Sequence, residues 1–150
     1  MSGPEPPPGE IEVTFTRHEI VPLAAARELS AWERELIGRI AAHDDTLGLP
    51  GMHQLERLRV VEECRTCATV TLSAGPRARR IPTSDPRHRG RWGVVSRNTF
   101  VASDTDGMEV FAVLHIADGL ISELEVARMD GEPLLALPTP GEFGPATIVP

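Results

Sequence analysis

One amphipathic helical segment followed by several runs in which apolar and polar residues alternate is the feature that most constrains this chain. A capping box, Ser30-Ala31-Trp32-Glu33, opens the helical segment. The serine oxygen can accept from an orphan backbone N–H while the glutamate reaches back to the cap. The spacing predicts a helix over 31–43, with Trp32, Leu36, Ile37 and Ile40 on one face and Glu33, Arg34, Glu35 and Arg39 on the other. After the Gly48-Leu49-Pro50-Gly51 break, Met52, Leu55 and Leu58 recur every third residue, which predicts a short helical turn entering a strand.

Period-two alternation then takes over. Strands are expected at 59–62, 68–73, 92–102, 109–116 and 120–127, with a weaker one at 11–16 and a hairpin turn at Asp118-Gly119. A helix followed by antiparallel strands is an α+β layout, because no parallel crossover units are present. The expected fold is one main N-terminal helix packed on an antiparallel β-meander of about four to five strands. A Pro-rich segment at 1–10 reads as a disordered tail, 11–140 as a single domain and 141–150 as a flexible C-terminal tail.

The chain has 150 residues, 41% of them hydrophobic, enough for one core. The N-terminus lacks the charged and apolar regions of a secretory signal, and no apolar run approaches membrane-spanning length. With only two cysteines, this reads as a cytoplasmic protein with no membrane contact. Its formal charge of −7 argues against general nucleic-acid affinity. The sign is uneven, however: Arg77, Arg79, Arg80, Arg87, Arg89 and Arg91 lie within 75–91, opposed there by Asp85 alone. Guanidinium forks match phosphate geometry, but three prolines and the scarcity of aromatics favour a solvated loop that pairs with an acidic face of this chain or of a partner.

The two cysteines form a C-x-x-C, Cys64-Arg65-Thr66-Cys67, at the turn between two strand signals. Three readings stay open. Two thiolates at this spacing can hold a zinc ion, which then needs two more donors, and His18, His43, His53, His88 and His115 are the candidates. The pair can also cycle through a disulfide, although a βαβ context for a thioredoxin-like role is lacking. Buried or turn cysteines without chemistry are the plainest reading.

Other motifs carry less. Asp104-Thr105-Asp106-Gly107 matches the start of a calcium loop but lacks its later ligands, so a hairpin turn explains it better. Glu123 and Glu125 read as solvent-facing residues between buried Leu124 and Val126, and His115 as a satisfied strand histidine. A hydrolase built on these three residues is a remote alternative. No nucleophile elbow, phosphate-binding glycine loop or H-E-x-x-H is present, so no catalytic residue is assigned.

The segments 60–72, 114–126 and 130–138 together resemble a group of small actinobacterial proteins that have no assigned activity. The resemblance spans about 29–140. It implies a compact α+β domain and no particular reaction. Members of the group carry a knuckle richer in Cys and Gly where this chain has Arg65 and Thr66, a departure that weighs against a shared metal site. The resulting expectation is an intracellular binding or interaction module without catalytic activity, its partner another protein or a second copy. The alternative is a zinc or thiol-redox protein using Cys64 and Cys67.

Overall fold

The computed structural model describes residues 19–82 and 99–146. Ten elements follow in order: β1 (Ile20–Glu28), α1 (Ala31–Ala42), α2 (Gly48–Leu55), β2 (Arg59–Cys64), β3 (Val70–Ser73), β4 (Thr99–Ser103), β5 (Glu109–Ala117), β6 (Leu120–Arg128), a 3-10 turn (Pro140–Glu142) and β7 (Gly144–Pro145). The α+β class is observed. The expected single helix and four-to-five-stranded meander are corrected to two helices and a seven-stranded antiparallel sheet of order β1-β2-β3-β6-β5-β4-β7. Two three-stranded meanders are joined where β3 pairs with β6, placing Val70 opposite Leu124 and Thr71 opposite Glu123.

The helix start follows its sequence signal. Ser30 Oγ accepts from Glu33 N–H at 3.1 Å, and Glu33 Oε1 accepts from Ser30 N–H at 2.7 Å. Leu36, Ile37 and Ile40 are buried as expected. Glu33, assigned above to the polar face, is buried too, because Arg27 descends from β1 and holds both carboxylate oxygens. Burial pushes the Glu33 carboxyl up, but Arg27 and the Ser30 N–H outweigh it and hold it below the ordinary value. The expected break at 48–51 is the first turn of α2, where proline is tolerated because its missing N–H would be unpaired anyway. Gly51 is buried there: a Cβ would stand 2.6 Å from Leu47 Cβ, so only glycine allows this helix to close down.

Side chains from both helices join one face of the sheet in a single core. Val110, Ala112, Leu114 and Ile116 of β5 alternate into it, as do Leu124 and Val126 of β6. Gln54 of α2 is also buried and fully used: its amide donates to the Arg79 and Gly119 carbonyls, and its oxygen accepts from Ile121 N–H at 2.8 Å. It therefore ties α2, the 79–81 segment and the β5–β6 turn together. At that turn Asp118 and Gly119 both adopt positive φ, 53° and 77°, the pair required by a two-residue type I′ hairpin.

The segment expected to be a flexible tail from 141 is ordered through 146. Phe143 is 1% exposed and meets Trp32 edge-on, and Gly144–Pro145 pairs with β4. The Trp32 indole N–H donates to the Pro138 carbonyl at 2.9 Å, which straps this segment across α1. β1 was not anticipated, since Ile20–Glu28 contains Pro22 and three consecutive alanines instead of an alternating pattern. The tail at 1–10, the strand at 11–16, the first part of the strand at 92–102 and the last four residues lie outside the described residues. Among the described residues no helix is long and apolar enough to cross a membrane.

Candidate functional site

Three groups of chemically capable side chains emerge, and the sheet places each one. The first is the Cys64–Cys67 turn. Cys64 ends β2, pairs with Ile20 of β1, and its N–H donates to the Thr69 carbonyl at 2.9 Å to close the loop. Arg65 N–H donates to the Glu19 carbonyl at 3.1 Å, so the turn is also stitched to the start of β1. The two cysteines are not joined by a disulfide; Cys64 is buried and Cys67 half-buried.

The environment of Cys64 is specialised. Thr66 N–H donates to its sulfur at 3.4 Å, and the Thr66 hydroxyl lies 3.3 Å away. Burial pushes the thiol up, but hydrogen bonds from Cys67, from the Thr66 hydroxyl and from backbone N–H groups outweigh it and bring it from 9.0 to about 6. Thr66 makes two of those contacts, through its N–H and its hydroxyl. The fold thus favours a thiolate at neutral pH.

The second group lies on the face of the β5–β6 hairpin opposite the core. His115 pairs across the ladder with Glu123, and Val113 with Glu125. His115 Nε2 is 2.9 Å from Glu125 Oε1 and 3.8 Å from Glu123 Oε2. Glu125 is corrected from solvent-facing to buried, at 5% exposure, and Phe111 and Ala127 are buried on the same face. The ligand atoms of His115, Glu123 and Glu125 all lie within 4.8 Å of one another. Among the described residues this is the group of three or more His, Cys, Asp or Glu side chains close enough to share one ion, and the cysteine pair has no described third ligand.

The third group gives Asp104-Thr105-Asp106-Gly107 a different role from a calcium loop. Arg128 at the end of β6 donates through Nε to Asp130, through Nη1 to Asp104 and Asp106, and through Nη2 to Asp106 and Asp130. Asp104 further accepts from the N–H groups of Thr105, Leu135 and Ala136. These bonds hold the Asp104 and Asp130 carboxyls well below the ordinary range. Every donor of the guanidinium is engaged, so the cluster is a closed structural joint between the β4–β5 turn, the end of β6 and the 130–136 segment.

The Arg-rich segment is only partly a solvated loop. Arg77, Arg79 and Arg80 are exposed, but the adjoining Ile81 is buried, and its N–H donates to the Gly119 carbonyl at 2.8 Å. Arg80 pairs with Asp118 at 2.7 Å, an acidic residue of this same chain. Arg87, Arg89 and Arg91 lie outside the described residues, as do His18 and His88. Arg128 escaped the sequence reading because its three partners come from two separated segments; the one local signal was Asp130 two residues beyond it. No protein family, curated protein or solved structure matches the chain.

Proposed function

We propose that the chain is a small binding module without catalytic activity of its own, whose chemically responsive element is the Cys64–Cys67 turn acting as a reversible dithiol. The observation that supports it is the sulfur of Cys64, which accepts from the Thr66 N–H and lies 3.3 Å from the Thr66 hydroxyl in the same turn as Cys67. Attack of the Cys64 thiolate on a low-molecular-weight disulfide forms a mixed disulfide and releases one thiolate. Attack by Cys67 then closes the Cys64–Cys67 bond and releases the second thiol. Because Cys64 pairs with Ile20 and Arg65 bonds Glu19, closing that bond alters the turn where β1 begins. A partner reading this corner would sense the change.

The zinc reading has less support than the dithiol reading, since two thiolates leave half a tetrahedron to be supplied from elsewhere. Docking by strand addition is also less favoured. The outer strand β1 carries Pro22 and a register break between Pro22 and Arg27, and β7 at the other edge is two residues long. Such features discourage edge pairing.

Equilibration in glutathione buffers of graded potential, followed by alkylation and mass spectrometry, tests the dithiol. The expected product has lost two hydrogen atoms and both alkylation sites, with oxidation absent in Cys64→Ser. Stable glutathione adducts on both sulfurs, or stoichiometric zinc that protects both thiols, would sink the reading.

A further inference from the structure

We propose that His115, Glu123 and Glu125 form a binding site for a first-row divalent cation on the outer face of the β5–β6 hairpin, separate from the cysteine turn. Cross-strand pairing places His115 directly opposite Glu123, while Glu125 lies two residues along β6 on the same face. Their ligand atoms all lie within 4.8 Å of one another. Donors bound at about 2.0–2.2 Å around a single ion stand about 3–3.4 Å apart. The observed separations of 2.9 and 3.8 Å bracket that span, so rotation of the more exposed Glu123 side chain suffices to close the set.

The chemistry of the donors selects the occupant. One imidazole and two carboxylates suit Mn²⁺, Fe²⁺, Co²⁺ or Zn²⁺, and lack the soft sulfur that favours Cu⁺. With His115 neutral the three groups carry two negative charges, one of them on a side chain only 6% exposed. Access is provided by His115 and Glu123, whose side chains are 27% and 30% exposed. The hairpin behind them is rigid: the Asp118–Gly119 turn fixes the register, and Gln54 holds Ile121 N–H and the Gly119 carbonyl from the core side. Three ligands from a fixed hairpin leave coordination positions open to water or to an oxygen-donor ligand.

Mn²⁺ is the first probe, because it prefers oxygen and nitrogen donors and so bypasses the thiols. Electron paramagnetic resonance titration of the full chain should show one bound Mn²⁺, and calorimetry of the Cys64→Ser/Cys67→Ser chain should show one bound Zn²⁺. His115→Gln and Glu123→Gln should each weaken both ions on the order of tenfold or more. Both positions are partly exposed, and circular dichroism of the metal-free variants verifies their folding. Should His115→Gln fail to fold, Glu123→Gln decides alone, with Glu123→Asp expected to retain part of the affinity. Absence of binding up to about 1 mM of either metal, or binding that neither variant weakens, would overturn the site. So would zinc binding that disappears with the two cysteines. Zinc binding lost with the two cysteines would count against the dithiol reading as well; the other outcomes leave that reading untouched.

Discussion

Two acid clusters share strand β6, and they are built on opposite plans. At its end, Asp104, Asp106 and Asp130 surround Arg128, a cation supplied by the chain itself and unable to lose its proton. Three and five residues earlier on the same strand, Glu125 and Glu123 converge on His115 of β5. The first cluster is saturated by five guanidinium bonds and by backbone N–H groups from the 104–136 region. The second offers donors that all face one point. Saturation by an arginine makes the first a joint; convergence of three ligand atoms within 4.8 Å underlies the cation site proposed for the second.

The contrast is broken most severely at Arg128. Arg128→Met strands three carboxylates, one fully buried, and should lower the melting temperature on the order of 10 °C, the largest fall among these variants. Scanning calorimetry measures it; a fall no larger than that of a surface variant would mean the joint is decorative. Next comes Gln54→Leu, which removes the donor to the Arg79 carbonyl and the acceptor of the Ile121 N–H, and leaves the Gly119 carbonyl with Ile81 N–H alone of its two donors. A loss of about 2 kcal/mol or more is expected by urea unfolding. Because Gln54 braces the turn behind His115, this variant should also loosen metal binding.

Acid and base treatments separate the regions further. The Asp104, Asp106 and Asp130 carboxyls are depressed in the folded state, so their stabilisation is complete above about pH 4 and is lost as pH falls through the depressed values. The Cys64 thiol is also depressed, from 9.0 to about 6, so its contribution is complete above pH 9 and disappears as pH falls to 6. Hydrogen exchange should therefore show the 64–69 turn loosening between pH 9 and 6 while the Arg128 joint stays protected until below about pH 4. Cys64→Ser should abolish the first change and leave the second; persistence of both would remove the thiolate from the account. The smallest effect is expected at His115→Gln and Glu123→Gln without metal. Each should change stability by less than about 1 kcal/mol, since partly exposed pairs contribute little, and a larger loss would make the second cluster a joint as well.

Much of the frame was legible locally. The capping box at Ser30 and Glu33, the turn at Asp118 and Gly119 and the strands β5 and β6 that flank it are dictated by backbone chemistry within a few residues, and all three appear where the spacing predicts. The Cys64–Cys67 turn was visible for the same reason. β1 was not, because an edge strand packed on one side needs no alternating pattern, and Pro22 masks what remains. The burial of Glu33 was hidden likewise: its carboxylate is acceptable inside only because Arg27, six residues away in another element, arrives beside it.

The sequence by itself determined where α1 begins, which of its faces carries Leu36, Ile37 and Ile40, where the β5–β6 hairpin turns, and that two thiols share one turn, since these depend on neighbours no more than four residues apart. Only the tertiary structure decided that the two meanders meet at β3 and β6, that Arg128 gathers acids from both sides of the domain, and that His115, Glu123 and Glu125 converge. Those outcomes depend on strand order and register, which long-range burial selects, and a shift of one residue would send every one of these side chains to the opposite face.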